Sequence, residues 1–436
     1  MSPKPEETKP MVQPLTYKCL REAVQGTAMA FRAVTDLDPA GGEGDKVFPP
    51  TYQGGVYARE TRMIDGKPVD CVLLDSVQSQ ANRLELALLE WHRQSEKDRK
   101  PFPLVQIDFA ESEAKDVGLF SALEAPHRIA DAVFLASEIE IEGKKVAFRH
   151  PKDINKSSAG GRLIDEASSA NATGLFGLCP TALIFGMWDS HGARGGLGEK
   201  FQRALVSEIF GVGATKDNRR PASRVDQLLV VAGESLPIKE NADGTWSPVE
   251  KGAGNAKLAN VGLGNVTPSL KVPPKSRKPG EDEYNHGGVT IEYARQITVL
   301  SLPALRRLRF PIKDSEADQE KANVEARTVL AALALSSVAR QWASGFSLRS
   351  RCDLVPKGEL VFALLKPGSE EPFTLAPKDA PRLLAEAVEA AKGCKLPWPT
   401  TEADAPWKSG CLTLKPANEL AKAVALSRRL AAEDRD

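Results

Sequence analysis

Apolar and polar positions alternate along Thr27 to Val34 (TAMAFRAV), which predicts a strand ending at the turn-forming Asp36-Leu-Asp-Pro39. GGVYARETRMI and KPVDCVLL flank Asp65-Gly66, a pair suited to the positive φ angles of a type I′ turn, so a hairpin is expected there. Asp75 can cap a helix, Gln78 completes a capping box, and Ala81, Leu84, Leu88 and Trp91 follow at helical spacing. PLVQIDF (103–109) reads as a buried strand, a helical stretch begins near Pro126, and EIEIEGKKVAFR forms a second hairpin turning at Glu142-Gly143.

Beyond a polar, glycine- and serine-rich stretch at 151–178, PTALIFGMW (Pro180 to Trp188) reads as a buried strand. It feeds the stretch GMWDSHGARGGLGEKFQR (186–203), in which four glycines fall between Gly192 and Gly198. After it, Leu197, Phe201, Ala204, Leu205 and Ile209 line one face of a helix expected to stop at Gly211. Ser235 to Gly288 carries only weak hairpin signals around Asp243-Gly244, and a patternless segment of that length is functional or disordered. Order resumes with a strand at 289–300, a helix-like LPALRRLRF, a long amphipathic helix from about Ala322 to Trp342, and a strand GFSLRSRCDLV. Two helices, Pro381–Lys392 and Ala417–Ala432, tied by PWPTT, close the chain. Strands and helices mixed with hairpins predict an α+β fold, not a doubly wound parallel sheet.

Composition narrows the function. Lysine plus arginine equals aspartate plus glutamate at 58 each, so any polyanion site must be a local patch. The first fourteen residues, with four prolines, read as a disordered tail and not as a signal peptide. No apolar run reaches the roughly 18–20 residues that span a bilayer, so no membrane partner is expected. The six cysteines are scattered without a C-x-x-C pair, which suits a reducing cytoplasm and argues against a zinc site on spacing; no metal or cofactor is expected.

Strand, glycine turn and helix N-terminus would together make an anion cradle. The spacing fits neither nucleotide motif: Lys200 lies between Glu199 and Phe201, and position 201 is phenylalanine where a dinucleotide fingerprint needs glycine. A nucleic-acid backbone remains open, with Arg194, Lys200 and Arg203 as charge partners, and so does a plain tight turn. His191 beside Asp189 and Ser190 has no supporting catalytic motif. Gln78, Ser79, Asn82 and Arg83 at a helix start suit phosphate and ribose contacts, or an ordinary solvated face. Lys251 to Gly280 holds six lysines or arginines and no acid, which suits either a backbone-following arm or a disordered loop. The RNA-recognition fingerprint with paired aromatics is absent.

VFPPTYQGGVYA, LLDSVQSQANRLE, GLCPTALIFGMWDSHGARGGLGEKFQRALVSEIFG and VGLGNVTP, in that order, resemble the backbone subunit of type I-G (formerly I-U) CRISPR effector complexes, a RAMP-superfamily family. The resemblance implies a ferredoxin-like, RRM-type core over 15–370 with helical insertions and a β-hairpin thumb at about 235–288. A tail at 1–14 and a C-terminal helical extension at 371–436 would flank it. It implies copies stacked head to tail on CRISPR RNA beside other Cascade subunits in the cytoplasm, presenting the spacer to a target DNA strand. Such subunits look non-catalytic. The residues it places on RNA are His191, Arg194, Gly195, Gly196, Lys200 and Arg203 in the glycine loop, and Gln78, Ser79, Asn82 and Arg83 on the helix. Asn265, Lys271, Lys275, Arg277 and Lys278 would lie in or beside the thumb. The competing expectation is a RAMP ribonuclease cutting guide or target RNA with Asp189 or His191.

Overall fold

A computed structural model describes residues 12–53, 56–96, 100–150, 152–189, 200–215, 237–241, 245–249, 254–257, 287–312, 316–400 and 411–433. It opens with helix α1 (Tyr17–Gln25) and strand β1 (Ala30–Pro39), followed by the hairpin β2 (Arg59–Ile64) and β3 (Lys67–Asp75) and then helix α2 (Val77–Gln94). Strands β4 (Leu104–Asp108), β5 (Leu119–Ser121), β6 (Ser137–Ile141) and β7 (Lys144–Ala147) come next. Helix α3 (Pro180–Phe185) precedes three strands, β8 (Met187–Trp188), β9 (Lys200–Phe201) and β10 (Leu205–Val212). Strand β11 (Tyr293–Ser301) runs into helix α4 (Leu302–Arg306), and helix α5 (Glu316–Ser344) follows. The last elements are β12 (Phe346–Arg349), β13 (Cys352–Pro356), β14 (Phe362–Lys366), β15 (Ser369–Thr374), α6 (Ala380–Gly393), β16 (Cys411–Pro416) and α7 (Asn418–Glu433).

Among the described residues ten strands form the main sheet, whose central order is β15-β14-β1-β11-β10-β3-β2. All these neighbours pair antiparallel. Gln13–Pro14, expected in the tail, instead pair in parallel with Phe373 and Thr374. Period-two alternation sorts the faces: on β1, Phe31, Ala33 and Leu37 are buried, while Val34 is half exposed on the other side. On the outward face Val34 pairs with Ile297 and Val206 with Val299, and Phe210 and Tyr293 join Ile297 there in a small cluster with Cys71 and Val212. A smaller sheet, β7-β6-β16-β4-β5, shares the core.

Helix α5 is the axis of the core. Residues 322–339 are buried on every side, so its expected amphipathic stripe is replaced by an all-round burial pattern. Its polar side chains are accommodated internally: Glu325 accepts from Tyr17 Oη and Arg21 Nε, both at 2.7 Å, and Arg327 donates to the Leu308 carbonyl at 2.8 Å. Beneath the sheet, Gln80, Ser207, Thr298, Gln296 and Gln341 form a closed hydrogen-bond chain, consistent with the rule that buried polar groups must be partnered.

Several expected elements hold. Asp65 and Gly66 carry φ angles of 50° and 75°, and Glu142 and Gly143 of 51° and 75°, as the two hairpin turns require. Others change. Asp36–Pro39 continues strand β1 because Arg295 donates twice to Asp36 from the neighbouring strand. Ser76, not Asp75, caps α2, accepting from Ser79 N at 3.3 Å, while Asp75 ends β3 fully buried. GFSLRSRCDLV folds as two strands, β12 and β13, reversed at Arg351 with a φ of 60°. Pro180 to Phe185 is helical and Leu205 to Val212 is a strand, the reverse of both expectations. The hairpin expected around Asp243-Gly244 is seen in its flanks, Pro237–Glu240 paired with Trp246–Pro248.

Candidate nucleic-acid interface

The glycine-rich stretch leaves a buried platform. Pro180 stands at the first turn of α3, where its missing N–H costs nothing, and all six helix residues are buried. Gly186 then reverses the chain with φ 83° and ψ 155°, a conformation open almost only to glycine. Strands β8 and β9 pair Met187 with Phe201 and Trp188 with Lys200, so the two ends of the 190–199 loop are held side by side. The chain leaves as strand β10, so no helix N-terminus points into the loop, and the expected dipole cradle is absent from its described flanks.

Three buried ion pairs, in two groups, lock this base. Arg128 grips Glu85 of α2 at 2.6 and 2.8 Å and donates its third nitrogen to the Gly186 carbonyl at 2.9 Å. Burial pushes the Glu85 carboxyl up to about 7, with Arg128 opposing the shift. Arg203 donates to the Phe185 carbonyl at 3.2 Å and is lowered by burial and by Arg128. At the far end of β8, Arg149, with no exposed surface, lies between Asp165 and Asp189, reaching the Asp189 carboxylate at 2.6 Å. Buried charges therefore fix the described residues on both sides of 190–199.

The residues expected on RNA separate into three groups. Lys200 is exposed at the loop exit, its ammonium 4.4 Å from the centre of the Trp188 ring. Arg203 is drawn inward to the Phe185 carbonyl, and the turn-stabilising role fits it better than phosphate contact. His191, Arg194, Gly195 and Gly196 lie outside the described residues, as do Asn265, Lys271, Lys275, Arg277 and Lys278. Of the Lys251 to Gly280 arm, only 254–257 are described.

On α2 the four expected residues divide by face. Gln78 and Asn82 are exposed one turn apart. Ser79 Oγ donates to Asp75 at 2.7 Å; Arg83 donates to Asp75 at 2.9 Å and to the Leu348 carbonyl at 2.6 Å. Those two fasten helix to sheet and are engaged before any ligand arrives. Trp188 escaped the sequence reading because it ends an apolar run and looked buried; it is 49% exposed. Its position two residues beyond a glycine break was the available signal.

Among the described residues no group of three histidine, cysteine or acidic side chains could hold a metal ion, and no helix is long and apolar enough to cross a membrane. No curated protein matches the chain. A crystal structure of Thermofilum pendens Csc2 aligns with 87% of this chain and 80% of its own at 12% identity and a TM-score of 0.28, a loose superposition. Residues 31–216 match the family described as CRISPR-associated protein GSU0053 (Cas_GSU0053), so the stretch that builds β1, α2 and both flanks of the glycine loop is similar to that family.

Proposed function

We propose that this protein is a non-catalytic backbone subunit of a type I-G CRISPR effector. Copies pack head to tail along a CRISPR RNA in the cytoplasm, beside other Cascade subunits, hold its sugar-phosphate chain, and present the spacer to a target DNA strand. The observation that carries this reading is the match of residues 31–216 to a CRISPR-associated family, a segment that contains the glycine loop and α2. The order β14-β1-β11-β10, with α2 lying between β1 and β10 in the chain and α5 between β11 and β14, supports a ferredoxin-like, RRM-type core interrupted by insertions. The small sheet of Pro237–Glu240, Trp246–Pro248 and Ala256–Lys257 supports a thumb, and the short helices between β7 and β8 support helical insertions. On the outer sheet face Phe210 is 2% exposed and lies beneath the Arg62 guanidinium, so it is closed to base stacking, which favours grip on the backbone. A head-to-tail contact does not close on itself, so RNA length would limit the filament.

The ribonuclease reading with Asp189 or His191 is the weaker one. Asp189 is buried to 6% exposure, with its charge engaged by Arg149, which leaves it poorly placed to take a proton from RNA. The deciding experiment is purification followed by incubation with labelled guide and complementary target, with and without divalent metal. Large particles carrying intact RNA are expected. Specific cleavage that disappears in Asp189→Asn or His191→Ala would sink the non-catalytic assignment.

A further inference from the structure

Beside the loop exit lies a cleft of about 200 Å³ that the sequence did not announce. Its floor is apolar, made by Leu183, Phe201, Ala304 and Leu308, all nearly buried. Its polar rim is Ser169, Lys200, Gln202 and Arg307. That volume falls below the roughly 300–1,000 Å³ that engulfs a small-molecule ligand, so the cleft suits a charged group laid against the surface.

The two charged side chains on its rim, Lys200 and Arg307, are both cationic. Of the arginines in LRRLRF, Arg306 is engaged by the carbonyls of Ala23, Val24 and Ala28. Arg307 and Arg309 are exposed. Behind them Arg327 is pushed down to about 10, by burial first and then by repulsion from Arg309 and Arg306, with Glu320 opposing the shift. Among the described residues no carboxylate forms an ion pair with Lys200, Arg307 or Arg309. Arg307 Nη1 donates to Gln202 Oε1 at 2.9 Å, which orients its planar fork at the cleft mouth while leaving other N–H groups for a ligand. Across the rim, Lys200 connects the cleft to the exposed ring of Trp188.

We infer that this cleft is a phosphodiester subsite for single-stranded RNA, with Arg307 and Lys200 on the phosphate and Trp188 receiving an adjacent base. The inference rests on the RNA-holding function proposed above and adds residues to it. An uncharged floor with two unneutralised cations favours a polyanion, and an exposed tryptophan beside them favours a strand whose bases are unpaired. A duplex, with its bases stacked inside, could not use that ring.

The test measures binding of labelled single-stranded RNA to the full-length protein, freed of co-purified nucleic acid, across a salt series. Arg307→Gln is expected to weaken binding severalfold and to remove about 0.7 from the slope of log affinity against log salt, the value of one phosphate contact on a single strand. Lys200→Gln should do the same, and Arg307→Lys should retain the slope because it keeps the charge. Trp188→Ala should weaken binding about fivefold or more with the slope unchanged, since stacking releases no counterions. If Arg307→Gln binds with the affinity and slope of the parent protein, the subsite is wrong while RNA holding stands. A parent protein that binds no RNA at any salt overturns both.

Discussion

At the scale of single residues, polar side chains that look ready for a ligand divide into those the fold already uses and those it leaves free. Ser79, Arg83 and Arg203 are of the first kind, and Gln78, Asn82, Lys200 and Trp188 of the second. Arg149 is the extreme case of internal use. It has no exposed surface, and its partners Asp165 and Asp189 are almost as deeply buried. Removing it would leave two carboxylates without a counter-charge in a dry site. Arg149→Met should therefore destabilise the protein by about 3–5 kcal/mol, read from urea unfolding. A loss below about 1 kcal/mol would mean that water reaches this triad. Nothing in the sequence near His150 distinguishes Arg149 from a surface arginine. Its acidic partners lie 16 and 40 positions away and meet it only in three dimensions.

At the scale of elements, the informative miss is the apolar run before the glycine loop. Six consecutive apolar or small residues, fully buried, carry neither a period of 2 nor one of 3.6, so periodicity cannot separate strand from helix. Pro180 at the first helical turn and Gly186 after the last residue are the marks that the run is helical. Gly186 also tests the local architecture. A Cβ there would meet the Phe201 carbonyl oxygen at 2.9 Å in addition to the unfavourable backbone angles. Gly186→Ala should cost about 1–3 kcal/mol in thermal or urea unfolding. Since Arg128 donates to this same residue's carbonyl, the variant should also loosen the loop base and weaken RNA binding beyond its effect on stability. An unchanged melting temperature would show that the reversal at Gly186 is not required.

At the scale of the whole molecule, one large apolar cluster runs from Leu15 to Leu414, drawing in α1, α2, α5, α6 and both sheets. A chain ending at residue 370 would lose Leu383, Leu384, Leu396, Leu412 and Leu414, each buried to 4% exposure or less. At roughly 1.5–3 kcal/mol per leucine, this rivals the entire ~5–15 kcal/mol stability of a domain. The shortened protein should lose cooperative unfolding and bind ANS; an intact sharp transition would make α6 and β16 dispensable to the core. What the sequence determined by itself was local: two hairpins through turn residues with positive φ, α2 through its spacing of apolar residues, and the general α+β mixture. Tertiary structure alone decided the strand at 205–212, the all-round burial of α5 and the placing of Lys200 and Arg307 on one cleft, while the helix at 180–185 was marked in the sequence only at its two ends. The reason is physical. Turn angles and amphipathic periods are written in neighbouring residues, whereas burial on every side and the pairing of distant charges depend on what the rest of the chain packs against them.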